Sequence, residues 1–126
     1  MNNLVKEIEK LKYHIELIGS TIDSDIYPVE SLIVSFNWDN NQLNKAHDIF
    51  EKYDKKIEVK EKNINWIAFE KELEDQFNIN YQEVKLIILA FYKNRQWSEV
   101  CYQYAKENQC MEFNSFIMEY ERNFKN

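Results

Sequence analysis

A chain of 126 residues with one glycine, Gly19, and one proline, Pro28, has few ways to turn sharply. β-Sandwiches and barrels need turn residues every few positions, and phosphate-cradling loops need clustered glycines. Both are excluded or nearly so, which leaves helices joined by short polar connections. The hydrophobic content of 44%, with 19 aromatics (eight Tyr, eight Phe, three Trp), is enough to build one core at this length. The predicted fold is all-α: a single compact bundle of six to seven short helices over residues 1–126, with a heptad-patterned helix at its N-terminus.

That first helix, expected over 3–22, carries Leu4, Ile8, Leu11, Ile15, Ile18 and Ile22 at alternating spacings of four and three. Written as heptads, Ile8, Ile15 and Ile22 take a, and Leu4, Leu11 and Ile18 take d. Ile at a with Leu at d favours a parallel two-stranded pairing. Glu7 then falls at g and Lys12 at the following e, the spacing of an ion pair between chains. Tyr13 and Leu17 lie on the opposite side, so the helix calls for two neighbours: its own domain and something else. Residues 1–22 are therefore the candidate oligomerisation helix, although a short seam of this kind also suits a helix buried within one domain.

Further along, Pro28 opens a short helix over 28–36, with Asp25 or Tyr27 just outside it. Asp39 caps a helix over 40–56, whose apolar face is Leu43, Ala46, Ile49, Phe50 and Tyr53. The charged stretch 52–63 reads as a fraying end and loop, with a short unpaired strand at Ile57 and Val59 as the alternative. Asn65 caps a helix over 66–77, and Asn80 with Glu83 makes a capping-box start for 81–93. Leu86 to Tyr92 is apolar nearly all round, which makes 84–92 the expected core element. Two more helices follow, over 97–107 and 110–124.

Net charge is −6, with no Lys or Arg between residues 21 and 44. This argues against a large footprint on nucleic acid or anionic lipid. Lys45, Lys52, Lys55, Lys56, Lys60 and Lys62 cluster, but acids interleave them almost one for one. Charge within six residues of Met1 leaves no signal-peptide core, and no apolar run approaches a membrane span, so the expected location is cytoplasmic. Cys101 and Cys110 are then reduced thiols, at least partly buried. No cofactor or metal site is predicted. Asp23 and Asp25 lack the glycine of a calcium loop, and His47 with Glu51 is short of ligands. His14 and His47 read as surface residues.

The run Tyr13-His14-Ile15-Glu16-Leu17, then Thr21-x-Asp23-x-Asp25-x-Tyr27-Pro28 and Leu32-Ile33, resembles the N-terminal signature of the YhaI-like family, small helical proteins of Bacillus and its relatives. Phe69, Gln76, Ala90, Tyr92, Glu99 and Val100 fall in a stretch, about 67–104, similar to that family's second half. The chain departs at Arg95, where the family's glycine is expected, and in a longer C-terminal helix over 110–126. The resemblance implies an all-α fold with a capacity to oligomerise, and it brings no activity. It marks Asp23, Asp25, Tyr27 and Pro28, either as a helix start or as a contact site.

These features predict a non-enzymatic, protein-binding regulator or adaptor. It self-associates, as a dimer by preference, through Leu4, Ile8, Leu11, Ile15 and Ile18. Asp23, Asp25, Tyr27 and Asp39 are the candidate contacts for another protein, one of basic character. A mobile-element product that inhibits a host protein suits the same features equally. The competing readings are a DNA-binding transcriptional regulator and a hydrolase with a dispersed carboxylate or Cys/His site.

Overall fold

The computed structural model describes residues 2–124; Met1 and the last two residues of the expected 110–126 helix lie outside the described residues. Seven helices and no strand occur among them: α1 (Asn2–Ser20), α2 (Pro28–Phe36), α3 (Asn40–Glu58), α4 (Trp66–Phe77), α5 (Tyr81–Lys93), α6 (Ser98–Asn108) and α7 (Met111–Phe124). The protein is an all-α bundle.

The helix starts follow the local chemistry of their caps. Asp39 accepts from the Gln42 backbone N–H at 2.9 Å while Gln42 Oε1 accepts from the Asp39 N–H at 2.8 Å. Asn80 and Glu83 make the same reciprocal pair, and Asn65 accepts from the Ala68 N–H. Pro28 sits in the first turn of α2 behind Tyr27, whose side chain makes no capping bond. Several boundaries differ from expectation, most by a single residue, and three of the differences matter. α1 ends two residues early, so Ile22 leaves the helix. α3 runs on to Glu58, placing Ile57 in the helix, half-buried, with no strand. Trp97 turns left-handed at φ 53° just before α6.

With its one glycine in α1, the chain reverses direction on other residues. Asn37, Lys60, Asn63, Asn78, Arg95, Trp97 and Gln109 all hold positive φ. In this region the Cβ of any residue crowds the following carbonyl oxygen; Asn tolerates it because its short amide can hydrogen-bond locally. Arg95 is informative. At φ 59° it adopts the conformation that glycine favours, and its N–H donates to the Tyr92 carbonyl at 2.9 Å, so the left-handed turn is made here on arginine.

α5 is the centre of the bundle, packing against α2, α4, α6 and α7. Val84, Ile87, Ile88, Ala90 and Phe91 are buried there. The expectation that α5 is enclosed on every side needs correction: Leu86 is 50% exposed, because it points away from the face shared by Ile87, Ile88 and Phe91. Phe50, Phe69, Tyr104 and Phe113 extend the core as edge-to-face or tilted rings with centroids 5.1–5.9 Å apart.

Tyrosine hydroxyls at the rim of this core tie helices together through glutamates. Tyr53 donates to Glu72 (2.5 Å), Tyr92 to Glu119 (2.9 Å), Tyr102 to Glu121 (2.6 Å), Tyr104 to Glu70 (2.8 Å), and Tyr120 to Glu99. Each bond spans two helices and lets an aromatic ring be buried while its polar end is satisfied. For Glu72, burial pushes the carboxyl up, but hydrogen bonds from Lys52 and Tyr53 and the Lys52 and Lys56 charges outweigh it, leaving the group below its usual 4.5. Burial and the Glu119 bond push Tyr92 up to about 12; the Glu121 bond and burial do the same for Tyr102.

Two predictions follow from this packing. Arg95→Gly should stabilise the fold by about 1 kcal/mol through relief of the left-handed strain, while Arg95→Ala changes it by less than about 0.5 kcal/mol, as read by urea denaturation. Equal effects of the two would locate the cost in the arginine side chain instead. The second concerns pH. A lowered folded value for Glu72 supplies stability that is lost as pH falls below about 4.5. Raised folded values for Tyr92 and Tyr102 supply stability that is lost as pH rises from about 10 to about 12. Denaturation midpoints should therefore be highest between about pH 6.5, below which the lowered His47 imidazole also gives up stability, and about pH 9, above which the raised thiols of Cys101 and Cys110 do, with a shallower acid limb in Glu72→Gln.

Candidate protein-interaction surface

α1 differs from every other helix in burying no residue at all. Its sequence is rich in Leu, Ile, Glu and Lys, and Glu7 pairs with Lys10 one turn on at 3.7 Å. Such local terms are small, and an isolated helix of this length is marginal in water; packing of an apolar face normally supplies the rest. Here the face is present and uncovered. Leu4 is 63% exposed, Ile8 44%, Leu11 57%, Ile15 58% and Ile18 65%. The expectation that the domain would cover the other side of this helix is not met either, since Tyr13 and Leu17 are also exposed. The bundle meets α1 through α2, where a Cβ on Gly19 would lie only 2.9 Å from Val34 Cγ1.

The loop from α1 to α2 holds the marked acids. Asp23 Oδ1 accepts from the Asp25 N–H at 2.9 Å, and its carbonyl accepts from the N–H groups of Ile26 and Tyr27. Asp25 pairs with Lys93 of α5 at 3.3 Å, which ties the loop to the core helix, although an ion pair this exposed contributes little. Asp39 is the cap of α3. Each carboxylate thus has a local partner, yet Asp23, Asp25, Tyr27 and Asp39 are all exposed. Ile26, Tyr27 and Val34 are exposed apolar residues near the end of α1 that no heptad pattern marked. Val34 was readable as the apolar residue out of phase with the stripe Val29, Leu32, Ile33 and Phe36.

The chemically reactive side chains sit elsewhere. His47 is not a surface residue as expected: it is half-buried beside Phe91, and its Nδ1 accepts from Trp97 Nε1–H at 3.0 Å. Burial lowers its pKa, with the Asp48 charge opposing. Cys101 is fully buried, its Sγ–H directed at the Ile88 carbonyl, and burial pushes the thiol up; Cys110 is half-buried and also raised, first by burial. No group of three or more His, Cys, Asp or Glu side chains able to hold a metal occurs among the described residues. A groove of about 800 Å³ between α5 and α7 is floored by the stacked Tyr92 and Phe116 rings and edged by Lys93, Arg95 and Glu119. Glu119 and Lys93 are already occupied by Tyr92 and Asp25. Three lysines of the basic stretch are paired too, Lys52 with Glu72, Lys55 with Glu51 and Lys56 with Glu61. No helix among the described residues is long and apolar enough to cross a membrane.

Because α1 gains nothing from burial within its own chain, its amide protection should depend on protein concentration. Hydrogen exchange in α1 is expected to be fast at dilution and slower at high concentration, while α3 to α6 stay unchanged. Protection of α1 that ignores concentration would mean that it needs no second polypeptide.

Neither the curated proteins nor the solved structures contain a match to this chain. A family model described as a protein of unknown function, DUF1878, matches residues 1–109, which takes in α1 to α6. α7 follows the matched segment and still adds Phe113, Phe116, Ile117 and Tyr120 to the buried core. Across residues 1–109, and thus over most of its length, the chain belongs to the DUF1878 family.

Proposed function

We propose that the protein is a non-enzymatic, cytoplasmic regulator or adaptor that self-associates through α1 and binds another protein, and that within its family it is a YhaI-like member. One observation carries this reading: a nineteen-residue helix with a continuous a/d row of Leu and Ile, none of it buried. Pairing two such helices in parallel covers Leu4, Ile8, Leu11, Ile15 and Ile18 of each copy and sets Glu7 beside Lys12 of the other. At about 1.5 Å per residue the seam from Leu4 to Ile18 is about 21 Å long. Ile8 and Ile15 at a with Leu4 and Leu11 at d favour two strands, and Ile18 is the one d position that departs from this pattern. The exposed loop with Asp23, Asp25 and Tyr27, together with Asp39, is the proposed contact for a second, basic protein.

Sedimentation of the full chain tests the seam. The parent should show twice the 15.4 kDa chain mass at high concentration, and Ile15→Asp should return to a single chain with its helical content kept. An Ile15→Asp variant with the parent's mass would overturn the proposal. Titration with mixed duplex DNA at two salt concentrations separates the rival regulator, for which affinity falls steeply with salt.

A further inference from the structure

We propose that α2 takes part in the dimer seam, with Val34 of one copy receiving His14 of the other in the notch left by Gly19. The inference rests on the parallel pairing of α1 proposed above and specifies its C-terminal end.

Continuing the heptads, Val5, Lys12 and Gly19 occupy e, and Glu7 and His14 occupy g. In a parallel pair each g residue faces the e residue five positions on in the partner. Glu7 therefore faces Lys12, a complementary pair, and His14 faces Gly19, where there is no side chain to meet it. Gly19 is not required by its backbone, since no glycine here has positive φ. It is required by close approach: a Cβ would stand 2.9 Å from Val34 Cγ1. A Val34 methyl thus occupies the place of the missing e side chain. Val34 remains 44% exposed, so it presents apolar surface along the edge of the seam. The imidazole of the partner's g residue, lying over that edge, covers the valine and closes the seam where the helix ends. An ordinary residue at 19 would push α2 away and break this continuity, which accounts for the chain's only glycine standing there.

Within one copy the two residues cannot meet. Five positions turn a helix by about 140° beyond one full revolution and advance it by about 7.5 Å. That puts His14 and the α2 side of α1 on opposite flanks of the seam. A double-mutant cycle on the full chain consequently reads a contact between copies. Both residues are exposed, so His14→Ala and Val34→Ala should keep the fold, with helical content as the check. Each single change is expected to raise the dimer Kd about fivefold, and the double change by less than about tenfold, because the two remove one shared contact. A double effect equal to the product, about 25-fold, or no effect of either change, would overturn the α2 contact. Ile15→Asp run alongside distinguishes the failures. If it dissociates the parent while the cycle is additive, only the role of α2 falls; if it leaves the mass unchanged, the dimer falls and this contact with it.

Discussion

Packing around α5 determines what is left over. The helix takes α2, α4, α6 and α7 as neighbours, and the aromatic network through Phe50, Phe69 and Phe91 closes the other side of the core through α3. Those contacts bury most of the apolar faces of α2 to α7, with Val34 and Leu86 left exposed, and α1 meets the bundle through α2. Its Leu and Ile row remains in water, where each half-exposed side chain forgoes about 1 kcal/mol of burial. Ten such side chains in a pair of copies gain about 10 kcal/mol, within the range of about 4–15 kcal/mol that association itself costs. The balance favours an assembly that responds to concentration over one that is permanently locked.

The scarcity of glycine shapes the rest. Helix ends and turns that could use glycine are built on Asn37, Asn63 and Asn78, where a short amide tolerates positive φ, and on Lys60, Arg95, Trp97 and Gln109, where it is less comfortable. The one glycine stands instead where α1 passes close against Val34 of α2. A side chain at that point would separate the exposed helix from the bundle, whereas strain at a surface turn costs little more than about 1 kcal/mol. Tyrosine serves the same economy of parts, filling the core with its ring and joining helices with its hydroxyl.

Most of the fold was legible because its signals are local. Asp39, Asn65 and Asn80 name their own helix starts, and the stripe Phe113, Phe116, Ile117 and Tyr120 names a buried face. What the residues could not show was relative placement. The heptad row of α1 suits a buried helix as well as an exposed one, and only the packed bundle reveals that none of it is covered. The same holds for His47, whose partner Trp97 lies fifty residues away, and for the Tyr–Glu bonds, none of which follows a sequence spacing. Arg95 was visible as a departure from a glycine, yet its left-handed turn was not. For the candidate site, Leu4 to Ile18 were legible as a seam and Val34 as an apolar residue out of phase with its own stripe, while the approach of Val34 to Gly19 emerges only once α2 is set beside α1.

The most direct measurement is oxidative cross-linking of Leu11→Cys, a d position at the middle of the row. In a parallel, in-register pair the two d residues stand at a separation that a disulfide can span, about 4.4–6.8 Å between Cα atoms. Mild oxidation should convert the variant to a covalent pair at twice the chain mass while the parent, carrying only Cys101 and Cys110, stays as single chains on a denaturing gel. A Leu11→Cys chain that remains single under the same conditions at high concentration would contradict the pairing.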